Sequence, residues 1–548
     1  MAPVPIEHPP SYIPLALSTT HIGLAVYLTY AVAASLYTSY KSLSPSQDTR
    51  KRLERRVKLA PIFLGLAAAS LVFATYSSIV YATLSYKAWA DDGGFDLPQR
   101  FIGEKGFFPG TQNSSQLYLA RWLSDTPVYY DALEIVAEKA RRFWWSQQVD
   151  LSTLSWSILL AIEGRRRRIP LLTAFLALAH LVNLSFAQNL FYLALLLTPA
   201  PITSGDDELE LPVVPVPASA WSRIKSTLTP APKPLNWCPH PAIFLGAVLI
   251  NFAAVFVLPY AAETPSFAVV ALIARASTFL PVLLPKVVPA TWGTVHPHPH
   301  NAYSSFTTLF RVLSVVSFVL HAKASFLGLS YSTPDSHYHR HSRFLPWDVE
   351  ERSVWEQSTT ALGKVLGSTA DHPVVAAVGR DALLCTVSLG LWAAVRASDV
   401  GNIFMSTVPF YGKPGVPVTT HEASPTPQPA IKSEPEATES PEPELGMTLR
   451  RRGRPKSRVA SIASSSGASE EVSTPTPTRR RGRPRKNVAE EEKAYEPSPA
   501  EARDVVEGDV LPPDDLDWES AALAWGLAAF GGLGSASAGV FGAECISR

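Results

Sequence analysis

Long apolar runs without charge recur through most of this chain and constrain its fold more than any other feature. A helix needs about 20 mostly apolar residues to cross the hydrocarbon core of a membrane. Apolar residues make up 47% of the sequence and charged residues 17%, below the roughly 25% charged residues of typical soluble domains. The runs therefore predict an all-α fold, a polytopic transmembrane helical bundle of about seven to nine helices. A long disordered insertion is expected before the C-terminus.

Segments strong enough to be predicted spans are distributed over the first 400 residues. They are 15–38, 60–84, 146–162, 170–197, 241–262, 303–330 and 374–396. A weaker segment, 266–288, contains Arg275, Pro281 and Pro285, and another, 520–543, is rich in glycine and alanine. About seven or eight crossings are expected before the insertion.

The spans divide the chain into consecutive parts. We predict a two-helix membrane segment at 1–86, a luminal loop with an amphipathic helix at 87–145, membrane helices at 146–410, a disordered tail at 411–518 and a weak C-terminal hydrophobic segment at 519–548. The tail is rich in Pro, Ser, Thr and Glu without apolar periodicity. Such a segment cannot bury enough surface to offset its ordering entropy.

Basic loops predict the orientation, because Lys and Arg concentrate on the cytosolic side of membrane proteins. Residues 41–58 and Arg165–Arg168 are strongly basic, so both are expected in the cytosol. The N-terminus and the 87–145 loop are then luminal. Asn113-Ser114-Ser115 in that loop is a glycosylation sequon, so an independent signal agrees with this sidedness. We expect glycosylation at Asn113 and residence in the endoplasmic reticulum membrane.

Residues 121–168 carry the densest pattern of polar and aromatic residues. Residues 128–143 predict an amphipathic helix, and Trp144 and Trp145 follow where an interfacial aromatic belt is expected. Asp150 enters the predicted span behind them, and a carboxylate inside a membrane is a functional candidate by default. The alternative, that Asp150 only caps its helix at the headgroup level, stays open.

Histidine and cysteine patterns give no metal or cofactor site. The alternating histidines at 296–300 and 337–341 match neither a helical pair nor a Cys/His zinc spacing. The chain has no phosphate-binding glycine loop, nucleophile elbow or haem signature. We therefore predict no metal, no cofactor and no conventional soluble catalytic domain.

The tail contains a repeated basic motif. Its two copies consist of Arg452, Gly453, Arg454 and Pro455, and of Arg481, Gly482, Arg483 and Pro484. Both resemble the AT-hook, in which an extended Arg-Pro segment enters the narrow minor groove of A·T tracts. Retention signals and lipid-binding patches have similar compositions. If 266–288 spans the membrane, eight crossings place the tail in the lumen. If 266–288 is re-entrant, seven crossings place the tail in the cytosol. DNA binding therefore remains an alternative that also requires the nuclear envelope.

The membrane part resembles a group of fungal multi-pass membrane proteins encoded in secondary-metabolite clusters. The resembling segments are LSYKAWADD (84–92), the 121–151 block, IEGRRRR (162–168), GRDALLCTVSLGLWAAVRA (379–397) and AALAWGLAAFGGLGSASAGVFGAE (521–544). Some such proteins are integral membrane terpene cyclases that act on prenylated, epoxidised intermediates.

The resemblance implies proton-initiated cyclisation of a prenylated small molecule at the membrane. It suggests Asp150, and next Glu163, as the proton donor. It suggests Trp144, Trp145 and Trp156 as rings that stabilise a carbocation. The alternatives are a non-enzymatic scaffold or tether, whose tail recruits partners, and a transporter.

Overall fold

The computed structural model describes most of the chain outside the tail. The described residues are 10–42, 50–94, 117–198, 233, 237–295, 300–339, 349–396, 398–410 and 516–546. The sequon at Asn113 and both Gly-Arg-Pro motifs lie outside these ranges, so their predicted roles stay predictions.

Helices account for nearly all of the described structure. In chain order they are α1 Ile13–Ser42, α2 Arg50–Gly93, α3 Leu119–Asp125, α4 Val128–Ala137, α5 Ala140–Leu159, α6 Leu172–Leu181, α7 Leu184–Leu197, α8 Ala242–Ala261, α9 Phe267–Ser277, α10 Leu280–Val287, α11 His300–Ser330, α12 Val354–Leu366, α13 Pro373–Arg396, α14 Val400–Thr407 and α15 Trp518–Ile546. A π-helical turn at Leu160–Gly164 continues α5, and 3₁₀ turns lie at Ala290–Trp292 and Gly367–Ala370. The all-α prediction is confirmed.

Two small antiparallel ribbons complete the secondary structure of these ranges. Strand β1, Trp237–Pro239, pairs with β2, Gly293–Val295, with Cys238 opposite Thr294. Strand β3, His337–His339, pairs with β4, Val349–Glu351. The first ribbon joins the start of α8 to the chain that follows α10.

Within the described ranges, six helices are long and apolar enough to cross a membrane: α1, α2 from Lys58, α8, α11 from Ser305, α13 and α15. Helices α9 and α10 would form a further span bent by 58°. Many apolar side chains of α1 and α2 are exposed, Leu17 by 64% and Val72 by 65%, as expected of surfaces that face lipid. The length and hydropathy of these helices therefore indicate an integral membrane protein.

The bundle has two ends that differ in composition. We call the end that carries Arg165–Arg168 the basic end, and the end that carries α3 and α4 the opposite end. At the opposite end, Trp89 of α2 donates from Nε1 to Asp125 Oδ2 over 3.1 Å. There too, Arg141 Nη2 lies 2.8 Å from Asp371 Oδ2, just before α13. Helix α5 begins at this end and packs between α8, α11, α13 and α15.

Residues 170–197 do not form the single helix predicted for them. Helix α6 has 10 residues and α7 has 14, lengths of about 15 and 21 Å. Leu172 packs on Gly164 at the basic end, and Thr198 O accepts from Arg167 Nη1 over 3.0 Å at the same end. The pair is therefore a hairpin that enters the bundle from the basic end and returns to it.

The tip of this hairpin is held by a carboxylate from another helix. Asp381 of α13 accepts the backbone N–H of Leu184 over 3.1 Å and that of Ser185 over 2.8 Å. These N–H groups have no partner within their own helix because they open α7. The positive end of the helix dipole stabilises the carboxylate in return. Asn183 Oδ1 also accepts Phe186 N over 3.0 Å, so Asp381 and Asn183 together cap α7 at the break.

Helix α15 is also folded back on itself. Gly532 has φ 78° and ψ 160° in the middle of the 29-residue element, a conformation that side-chain-bearing residues rarely adopt. In a straight helix Leu527 and Gly539 would lie about 18 Å apart. Instead, a Cβ built on Gly539 would lie 3.6 Å from Leu527 Cδ1. The run of Gly, Ala and Ser in 531–539 allows this close approach of the two legs.

Both legs of α15 reach the basic end. Asp517 N donates to Ala394 O over 3.1 Å at the start of the first leg, and Glu544 Oε1 lies 3.0 Å from Arg396 Nη2 at the end of the second. At the tip, Leu533 N donates to Gln148 Oε1 over 3.1 Å. The segment predicted as a weak C-terminal one is thus a buried hairpin, with legs against α5, α11 and α13.

Two further segments, each predicted as one helix, are broken in the structure. The amphipathic helix predicted over 128–143 is broken into α4 and α5, because Lys139 is extended with φ −112° and ψ 130°. The weak span predicted over 266–288 is divided at Thr278 and Phe279. Pro281 lacks the N–H that would bond to Ser277 O in a continuous helix.

Candidate functional site

The carboxylate of Asp150 lies half-buried on α5, ten residues after the helix begins and so about 15 Å from its start. Ser146 Oγ, one turn earlier, donates to Asp150 Oδ2 over 3.3 Å. The guanidinium of Arg275 on α9 interacts electrostatically with this carboxylate. Asp150 is therefore well inside the bundle and not at the helix boundary.

His180 contacts the break between α9 and α10, and Arg275 lies less than one turn before it. His180, at the end of α6, hydrogen-bonds to Thr278 Oγ1 through Nε2 over 2.8 Å and stacks on Phe279 with centroids 5.4 Å apart. The charge of Arg275 acts on His180 as well as on Asp150. Three ionisable side chains from α5, α6 and α9 thus converge on one broken helix.

The break is stabilised by a polar residue of α8. Asn251 Nδ2 donates to Ala274 O over 2.7 Å and to Ser277 Oγ over 2.9 Å. Carbonyl groups near the end of a helix lose their usual donors, and inside a bundle water does not replace them. Asn251 satisfies one of them, so the bend is a built feature of the fold.

Arg275 is exposed on the surface of α9, eight residues after Phe267 and therefore about 12 Å along the helix. Phe267 itself packs edge-on against Tyr130 at the opposite end, with centroids 5.5 Å apart. A cation at this depth is costly unless it faces water, a cavity or a ligand. Arg275 is therefore an exposed cation beside the break, within electrostatic reach of Asp150 and His180.

The tryptophans suggested by the resemblance do not line this cluster. Trp144 and Trp145 pack edge-on with centroids 4.8 Å apart, and Trp144 Nε1 donates to Ser325 Oγ over 2.9 Å. Trp156 is fully buried against Phe191 of α7. Trp144 and Trp156 each lie six positions from Asp150, so they point to other sides of α5.

Glu163 lies 13 positions after Asp150, about 20 Å further along the axis. It is fully buried in the π-helical turn, with Oε2 2.8 Å from Arg166 Nη2 and 3.4 Å from Arg167 Nε. Arg396 also interacts with it electrostatically. Glu163 and Asp150 therefore cannot act on the same atom, and the arginines make Glu163 an ion-pair partner.

Sequence signals for the cluster existed but were weak. Arg275 interrupts an apolar run that also contains Pro281, a combination that indicates a broken helix inside a bundle. His180 was visible only as one polar residue among several in 170–197. In the described ranges, no group of three or more His, Cys, Asp or Glu side chains could hold a metal ion.

Comparison with known proteins gives no family to which this arrangement could be assigned. The chain matches no family model, no curated protein and no solved structure. Integral membrane placement rests on the apolar helices, and any more specific function rests on the cluster around Arg275.

Proposed function

We propose that this protein is an integral membrane enzyme that binds a prenylated small molecule at the Asp150–His180–Arg275 cluster and starts its cyclisation with a proton from Asp150. The observation that carries this proposal is the convergence of three ionisable side chains on the break between α9 and α10. Acid catalysis needs a carboxylic acid in a poorly solvated site, and the half-buried position of Asp150 on α5 meets that need.

The proposed reaction begins with a proton from Asp150 and ends with the return of one proton to it. The carboxylic acid of Asp150 gives its proton to an epoxide oxygen, the C–O bond breaks, and the positive charge that forms on carbon is captured by an internal alkene. The last carbocation loses a proton to form an alkene, and return of this proton to the Asp150 carboxylate, directly or through water, restores the acid. Arg275 would hold a polar group of the substrate, and the Phe279 ring, which stacks on His180, could stabilise a carbocation.

The path of the chain supports a definite sidedness. The crossings we infer are α1, α2, α5, α8, the bent pair α9–α10, α11 and α13, whereas α6–α7 and α15 return to the basic end. With a luminal N-terminus and this odd number of crossings, we propose that residues 398–410 and 516–520 are cytosolic and, as predicted from the sequence, that Asn113 is luminal. The endoplasmic reticulum is the compartment we propose.

Specific observations bear on two other functions, a transporter and a tether. Half-helices that start inside the membrane can bind anionic substrates of transporters, but here Asp381 and Gln148 already accept the N–H groups at both tips. A tether is supported by the proposed cytosolic position of the insertion, where its Gly-Arg-Pro motifs would meet cytosolic partners. DNA would be such a partner only in the nuclear envelope.

Deletion of the gene with metabolite profiling tests the proposal, because an uncyclised prenylated precursor should accumulate. Complementation with the wild-type chain should restore the product, and D150N should not, although its amide keeps the size of the side chain. The control is D91N, which neutralises an exposed carboxylate at the end of α2 and should complement fully. Complementation by D150N would refute the assignment, and an unchanged metabolite profile after deletion would favour the tether.

A further inference from the structure

Two cations flank one buried indole at the basic end. Trp237, in β1, is 5% exposed. The Arg165 guanidinium carbon lies 5.1 Å from the centre of its ring, and Lys233 Nζ lies 4.5 Å from it. Arg165 directly follows the π-helical turn, so the indole joins the end of α5 to the first ribbon.

The indole is fixed in place by its own hydrogen bond and by a glycine. Trp237 Nε1 donates to Ala290 O over 2.7 Å. A Cβ on Gly293, in the paired strand β2, would lie 2.4 Å from Trp237 Cε2, so no larger residue fits there without displacing the ring. Lys233 Nζ also donates to the Pro285 carbonyl oxygen, so the ring and this carbonyl together hold the lysine.

The charges around the platform are not balanced in the described part of the chain. Burial lowers the pKa of Arg165, and burial together with the charge of Arg165 lowers the pKa of Lys233. Arg165 Nη1 is buried without a hydrogen-bond partner there. Burial raises the pKa of the Cys238 thiol to about 12, so this neighbour stays neutral. Glu163 is already paired with two other arginines.

We propose that Arg165, Lys233 and Trp237 form a binding site for the phosphate group of an anionic lipid. Two adjacent cations with an unsatisfied guanidinium N–H suit a phosphate, which accepts several charge-assisted hydrogen bonds at once. The site lies at the end of the apolar helices, where basic pockets between membrane helices bind lipid headgroups. The proposal does not depend on catalysis at Asp150.

A rival occupant is encoded in the chain itself. Asp206, Asp207, Glu208 and Glu210 lie between α7 and Lys233, outside the described residues. Their carboxylates would neutralise the same cations if the loop folded onto them. The experiment must therefore separate the lipid from this acidic segment and from free phosphate.

Titration of the purified full chain in detergent with dioctanoyl phosphatidic acid tests the site, with dioctanoyl phosphatidylcholine as the uncharged reference. We expect R165Q and K233Q each to raise the dissociation constant by about tenfold, since a charge-assisted hydrogen bond is lost in each. R165K keeps the charge but loses the forked donors, so its dissociation constant should lie between those of R165Q and the wild type. The control is K286Q, which removes an exposed charge of α10 and should bind within about twofold of the wild type.

Three results would overturn the proposal. Wild-type affinity in both R165Q and K233Q would show that the two cations do not bind the lipid. Displacement of phosphatidic acid by an equal concentration of inorganic phosphate would make free phosphate the ligand. Lipid binding that appears only after D206N, D207N, E208Q and E210Q are combined would make the acidic segment the natural occupant. R165K keeps the test valid if R165Q does not fold.

Discussion

Arg396 at the end of α13 and Glu544 near the end of α15 form a buried ion pair, with Nη2 and Oε1 3.0 Å apart. The two residues are 148 positions apart, and the whole of 411–515 lies between them. The Arg396 guanidinium also lies 5.3 Å from the centre of the Trp392 ring. This pair ties the C-terminal hairpin to the rest of the bundle across the insertion.

Loss of one partner of this pair should destabilise the whole bundle. E544Q leaves Arg396 buried without its carboxylate, and breaking a buried pair in this way typically costs about 3–5 kcal/mol. We expect a clearly lower unfolding temperature in detergent, measured by fluorescence-detected size exclusion after heating. The double variant R396M/E544L should recover much of the loss, because apolar replacement of both partners is often neutral. Equal unfolding temperatures of E544Q and the wild type would contradict the role of the pair.

The sequence predicts which segments are apolar helices better than it predicts how they are connected. Hydropathy identifies α1, α2, α8, α11 and α13, because a span must be apolar along its whole length. It cannot reveal that 170–197 turns back, since Asp381, which holds the turn, is 197 positions from Leu184. Within the site, only the charge of Asp150 marks it in the sequence, whereas its relation to His180 and Arg275 exists only in the folded bundle.

Gly532 should be the least replaceable residue of the α15 hairpin. A Cβ at this position would lie 2.7 Å from His321 Cγ, and its φ of 78° disfavours any side chain. Backbone strain and overpacking cost about 1–3 kcal/mol each, so G532A should lower the unfolding temperature. G526A, in the same element with nothing within 4 Å of its added Cβ, should be neutral or slightly stabilising. The double variant G532A/H321A should recover only the part of the lost unfolding temperature that is due to the steric clash. An unfolding temperature of G532A equal to that of the wild type would argue against the sharp turn.

His372 should make the bundle less stable in mild acid. It lies just before α13, where burial and the charge of Arg142 lower its pKa below the usual value, and its Nδ1 accepts Val374 N over 3.3 Å. The unfolded chain therefore binds the proton more readily, near pH 6.5. The stability that His372 contributes is present above that pH and is lost as the pH falls through the lower folded-state pKa.

Unfolding temperatures of the wild type and H372N, measured between about pH 8 and about pH 5, test this loss of stability. The interval extends to both sides of the unfolded pKa of about 6.5. Asn keeps an acceptor close to the position of Nδ1 but does not titrate. The groups around His372 include Arg142, Asp371 and Tyr81, which both chains retain, so the difference between the two curves isolates His372. We expect H372N to lose less stability in acid, and parallel curves would exclude the effect.

The two hairpins make a prediction about the side of the membrane on which the insertion lies. Helix α14 follows Ser398, and α15 begins where Asp517 N meets Ala394 O, so both flanks of 411–515 lie at the basic end. If 170–197 were one span, the crossing number would be even and the insertion luminal. Because α6 and α7 return to the end where they started, we expect the insertion in the cytosol.

Glycosylation and protease access in sealed microsomes measure this sidedness directly. The natural sequon at Asn113 should be glycosylated, and N113Q should remove the shift in gel mobility. A second sequon introduced near residue 440 should stay unmodified, and protease added outside should cleave there without detergent. Glycosylation near 440 together with Asn113 would mean that one hairpin crosses the membrane. Glycosylation near 440 without glycosylation at Asn113 would mean that the bundle has the opposite orientation, with the basic end in the lumen.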